Sequence, residues 1–108
     1  MIPQLTPAEL HRWRGDAGRE APLLIDVRER WEFEYCRIEG SQSMPLSEFA
    51  RHYPELPRDR ELVLVCHHGR RSQHAAMLLE GAGFVRLHNL QGGVAAWADQ
   101  VEPTMKRY

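Results

Sequence analysis

Apolar residues fall along this chain in short runs separated by charged or glycine- and proline-containing stretches, and their spacing predicts alternating strands and helices. PLLIDV (22–27) and ELVLVC (61–66) are nearly continuous apolar runs, the pattern of strands covered on both faces. FVRLHNL (84–90) reads as another strand, and a shorter one is expected within IEGSQSMPL (38–46), leading to Pro45. From Ser72 onward, Ala75, Leu78, Leu79 and Ala82 recur at the i, i+3, i+4, i+7 spacing of one helix face, with Gly83 as a stop. Thr6-Pro7-Ala8-Glu9 supplies an N-cap, a proline at the first helical position and a glutamate placed to close a capping box, so a short helix runs through Trp13 and is ended by Gly15 and Gly18. RERWEFEYCR (28–37) predicts a helical turn or two. SEFARHY (47–53) predicts a helix capped by Ser47 and ended by Pro54, and QGGVAAWAD (91–99) a turn at Gly92 and Gly93 opening a helix with Trp97 in the core.

Strands alternating with helices imply an α/β fold with a mostly parallel central sheet flanked by helices on both faces. At 108 residues the length suits one domain with a single modest core, and no internal repeat is present. In such sheets ligands sit beyond the carboxyl ends of the strands. Asp26 and Cys66 stand at two of those ends.

Charge narrows the functions open to the chain. A formal net charge of −1 and a pI near 6.6 argue against nucleic acid or an anionic membrane as partner, since both call for a strong basic excess. MIPQLTPAEL lacks the charged and apolar regions of a signal peptide, no run approaches the length of a membrane helix, and the expected location is cytoplasmic. Two cysteines, Cys36 and Cys66, are too few for a disulfide-stabilised secreted domain, so at least one free thiol is expected.

The candidate chemistry lies in VCHHGRRSQHAAML (65–78). A nucleophilic cysteine works as the thiolate and needs surroundings that favour negative charge. Here the backbone amides of a tight loop, the positive end of the following helix, and the charges of Arg70 and Arg71 all converge near Cys66. Gly69 lets the loop curl, because glycine takes positive φ without a steric penalty. Such an anion cradle suits attack on a bound oxyanion or the holding of a persulfide, Cys-S-S⁻. Cleavage of a phosphate calls for Cys-x5-Arg, a wider ring with an arginine fork on two oxygens; this chain has Ser72 in that place and its arginine one residue early, at Arg71, which favours sulfane sulfur. His67 and His68 are adjacent, lack metal-ligand spacing, and are read as tuning the rim of the loop. His74 is read as a surface residue, Cys36 as structural, and Asp26 with Arg28 as a charged pair beneath the loop.

CHHGRRS resembles the Cys-x-x-Gly-x-Arg-Ser loop of single-domain rhodanese sulfurtransferases. The likeness extends to LLIDVRERWEFEYCRIEGSQSMPL (23–46), with its Asp-Val-Arg start and Pro-Leu close, and to LEGAGFVRLHNLQGGVAAWADQVEP (79–103), with Leu-x-Gly-Gly-x-x-x-Trp. It implies a single rhodanese-like domain over 1–108 in which Cys66 becomes a persulfide surrounded by the amides of His67, His68, Gly69, Arg70, Arg71 and Ser72. It further implies thiosulfate or another persulfide as donor, cyanide or a thiol as acceptor, proteins as alternative donors or acceptors, and no metal or organic cofactor. A persulfide carrier or interaction module, and a phosphatase or arsenate reductase on the same architecture, are the alternative functions. The chain departs from the family pattern at Cys36-Arg37-Ile38, where Gly-His-Ile is common, and at Ser41-Gln42-Ser43, where Ala-x-Asn is common.

Overall fold

The computed structural model describes residues 1–108. Five strands, β1 (Gln4–Leu5), β2 (Leu23–Asp26), β3 (Gln42–Ser43), β4 (Leu62–Val65) and β5 (Leu87–Leu90), form one sheet in the order β1-β5-β4-β2-β3. Every pairing is parallel, with Leu23 opposite Leu62 and Asp26 opposite Val65 in the central pair. Five helices, α1 (Pro7–Arg14), α2 (Arg30–Tyr35), α3 (Leu46–His52), α4 (Arg70–Gly81) and α5 (Gly93–Gln100), complete the α/β fold that the run pattern predicts. None is long and apolar enough to cross a membrane.

Alternation along the central strands divides the apolar side chains between two cores. Ile25, Val27, Leu62, Leu64 and Cys66 face Phe49 of α3 and Ala75, Ala76 and Leu79 of α4. Leu24, Val63, Val65 and Leu90 face Leu10 and Trp13 of α1 and Val94, Trp97 and Ala98 of α5. The chain leaves β2 toward β3 on one side and β4 toward β5 on the other, so the order reverses between β2 and β4. That crevice lies at the strand ends bearing Asp26 and Cys66.

Several boundaries differ from the sequence expectation. Ser47 is not a cap: Pro45 precedes the first turn of α3, and Ser47 lies inside the helix. Pro54 ends α3 but continues into a 3-10 turn over Tyr53–Glu55, where its fixed φ is compatible with a first-turn position. The strand expected from residue 84 begins only at Leu87; Phe84 instead drops into the core after the turn at Gly83. Helix α4 starts at Arg70, so Ser72 is interior to it, and on its predicted apolar face Leu78 is exposed while Ala76 is buried. β1 carries no apolar run and is held by pairing with β5. The capping box at Thr6 and Glu9 forms as expected, with Gly15 at the end of α1.

Candidate active site

The end of β4 and the start of α5 build the loop together. Val94 and Ala95, in the first turn of α5, donate their amides to the carbonyls of Cys66 (2.9 Å) and His67 (3.1 Å). With those carbonyls turned toward α5, the peptide run that follows is turned toward the sulfur. Gly69 takes φ 98° and donates its N–H to Cys66 Sγ at 3.0 Å, and α4 begins at the next residue. Of the loop amides expected to ring the sulfur, Gly69 is the one that makes this hydrogen bond. Cys66 is 1% exposed yet lines a surface cavity together with His67, His68, Arg70 and Arg71.

Ser72 contributes a side chain rather than an amide. Its hydroxyl lies 3.2 Å from Cys66 Sγ and donates to Asn89 Oδ1 at 2.5 Å, with Ser72 wholly buried. Asn89 is oriented by its own donors, which reach Gly69 O (3.0 Å) and Gln4 Oε1 (2.9 Å). Since the serine has one proton and Asn89 takes it, the protonated thiol is the donor to Ser72 Oγ. The Gly69 amide can donate to the sulfur whether or not the thiol keeps its proton. Asn89 lies in β5 beside His88, so its sequence position does not set it apart as part of this buried network.

Asp26 and Arg28 form a fully buried ion pair, with Arg28 Nη2 2.7 Å from Asp26 Oδ2 and Arg28 Nε within 3.1 Å of both carboxylate oxygens. Arg28 also donates to Cys36 O (2.7 Å), Glu32 O (3.3 Å) and the Tyr108 hydroxyl (2.9 Å). Burial opposes its charge, but the Asp26 and Tyr108 partners outweigh that and hold its pKa above the usual arginine value. The pair ties the end of β2 to the end of α2, and its hydrogen bonds go to Glu32, Cys36 and Tyr108 rather than to the loop.

Arg71 spends its fork on Glu32, Nη1 to Oε1 at 2.8 Å and Nη2 to Oε2 at 2.9 Å. Tyr108 donates to the same carboxylate at 2.8 Å, and its ring stacks on His67 at 4.1 Å between centroids. His67 in turn lies against His68 at 4.0 Å. Burial, then the neighbouring His68, lowers the His67 pKa, and burial pushes Tyr108 up to about 12. Arg70 is exposed at the mouth of the cavity, and His74 is exposed on α4. Glu32 resembles Glu29 and Glu34 in sequence, and Tyr108 lies far along the chain, so neither announces its place beside the loop.

The Arg71 bonds, then the backbone N–H of Glu29 and the Tyr108 hydroxyl, hold Glu32 down at about 2 from its usual 4.5. A carboxyl depressed on folding adds stability that is complete above its unfolded value and is lost as pH falls through the folded one. Unfolding midpoints in urea measured from pH 5 down to pH 2 are expected to fall, and Glu32→Gln to start lower and fall less. An equal slope in the variant would mean that other carboxyls govern the acid limb.

A model of the rhodanese-like domain matches residues 6–100. A probable adenylyltransferase/sulfurtransferase, MoeZ of Mycobacterium tuberculosis, is 42% identical over 96% of this chain, which spans 26% of that longer protein. A sulfurtransferase of Allochromatium vinosum is 35% identical over 76% of this chain and 77% of its own. Among solved structures, a rhodanese-related protein from Thermoplasma volcanium superposes with a TM-score of 0.83 at 27% identity, covering 94% of this chain and 96% of that one. The family match spans the strand-end cysteine and its glycine-kinked loop, and relatives named as sulfurtransferases support sulfur transfer as the general chemistry: this chain belongs to the rhodanese-like domain family.

Proposed function

We propose that Cys66 accepts a sulfane sulfur from thiosulfate or another persulfide donor and passes it to cyanide or a thiol. The observation that carries this reading is the Gly69 amide aimed at Cys66 Sγ from a loop opening on a cavity rimmed by Arg70. In the first half-reaction the Cys66 thiolate bonds to the outer sulfur of thiosulfate, and the old S–S bond breaks with its electron pair leaving on sulfite. In the second, the acceptor bonds to that outer sulfur and the Cys66 thiolate departs. Arg70 is the cation free to meet the incoming dianion, since Arg71 is forked on Glu32. The same fork argues against phosphate ester cleavage, because a phosphate would have to compete with a nearly buried carboxylate for both guanidinium nitrogens.

A second reading, transfer between proteins with little small-molecule turnover, draws on the mycobacterial relative, in which the matched stretch is 26% of a longer protein. Intact-protein mass spectrometry after incubation with thiosulfate is expected to show a gain of one sulfur atom that cyanide removes as thiocyanate. Loading by a protein persulfide but not by thiosulfate would assign the carrier reading. No gain from either donor would overturn persulfide chemistry at this site.

A further inference from the structure

Beside the cavity that reaches Cys66 lies a second cleft, of about 140 Å³, between α5 and the segment 105–108. Val94, Ala95, Ala98 and Met105 give it an apolar floor, Tyr108 a flat aromatic wall, and Lys106 a cation at the rim. The Lys106 ammonium stands 5.6 Å from the centre of the Tyr35 ring and has no carboxylate partner, and no acidic side chain lines the cleft. His67 and His68 line both this cleft and the Cys66 cavity, so the two spaces meet at the stacked imidazoles. Segment 105–108 lies outside the residues 6–100 matched by the family model.

Resting on the sulfur-transfer reading, we propose that this cleft holds the organic body of the acceptor, a thiol carried on a flat apolar group with a carboxylate. The ring would lie on the apolar floor against Tyr108, the carboxylate would face Lys106, and the thiol would point past His67 toward Cys66. The acceptor thiolate then bonds to the outer sulfur of the Cys66 persulfide, the S–S bond to Cys66 Sγ breaks, and Cys66 leaves as the thiolate. The outer sulfur carries its negative charge into the product, an organic persulfide anion, and no external oxidant or reductant is consumed. Cyanide, with no body to place, discharges the same persulfide without using the cleft.

Two variants outside the sulfur site test the assignment. Lys106→Ala, at an exposed position, removes the cation of the cleft, and Lys106→Glu inverts it. With the persulfide preloaded, discharge by 3-mercaptobenzoate is expected to slow about tenfold in each variant, while discharge by cyanide and by 2-mercaptoethanol stays within about twofold. Equal slowing for all three acceptors, or none, would overturn the proposal. Binding is read independently of sulfur chemistry by titrating 3-methoxybenzoate and following the methyl signals of Ala95, Ala98 and Met105 in the wild type and Lys106→Glu. Shifts that saturate in the wild type and weaken in the variant support the cleft even if no persulfide forms, a result that would remove the sulfur-transfer reading alone. Unchanged signals at millimolar ligand would remove the cleft.

Discussion

Replacing Cys66 with alanine is expected to abolish sulfur loading completely while leaving the fold standing. Cys66 is small, 1% exposed and packed among Val27, Leu64 and the helix α4 side chains of its core. Loss of its sulfur leaves a small cavity and removes the acceptor of the Gly69 amide, together about 2 kcal/mol. A domain of this size ordinarily has about 5–15 kcal/mol of stability, so the variant remains folded. Its chemistry does not survive, because Cys36 is the only other thiol and has no glycine-kinked loop to donate to it; its sulfur lies 3.8 Å from the Arg28 guanidinium, already engaged by Asp26. Thermal unfolding and intact mass after thiosulfate or a protein persulfide separate the two effects. A Cys66→Ala protein that still gains a cyanide-labile sulfur would move the site to Cys36.

Which parts of this arrangement were readable beforehand follows from how local their causes are. Leu62–Val65 and Leu23–Asp26 declare themselves as strands because burial on both faces demands unbroken apolar runs. Helix α1 begins where its capping box says it must, since that signal is complete within four residues. The strand β1, by contrast, exists only because β5 offers it an edge, and two residues carry no periodicity of their own. At the site, the Cys66 loop was legible because its chemistry is written in consecutive residues. Its supports were not. Glu32 is assigned by what Arg71 and Tyr108 do to it across the fold, and Asn89 by Ser72 and Gly69. Arg71 is a case of the same kind: a sequence shows a guanidinium beside a thiol, while only packing shows the carboxylate that takes both ends of its fork.

The dependence of that loop on α5 concentrates in one hydrogen atom of Gly93. A Cβ there would fall inside contact distance of the backbone carbonyl oxygens of both Cys66 and His67, and the residue sits at φ 60°. Neither obstacle is a flexible side chain, so relief requires α5 to draw away from the loop, opening the bonds from Val94 and Ala95 that aim it. Gly93→Ala is therefore expected to cost about 4 kcal/mol or more, at the upper end of single substitutions, and to lose sulfur loading in whatever fraction still folds. Gly81, in the last turn of α4, is the matched control: nothing lies within 4 Å of its Cβ position, and alanine there is expected to be neutral or to stabilise by about 0.5–1 kcal/mol through helix propensity. Urea unfolding of the two variants measures the contrast directly. If Gly93→Ala unfolds at the wild-type midpoint and still takes up sulfur, the close approach of α5 does not hold the loop, and the sulfur must be positioned by Ser72 and Asn89 alone.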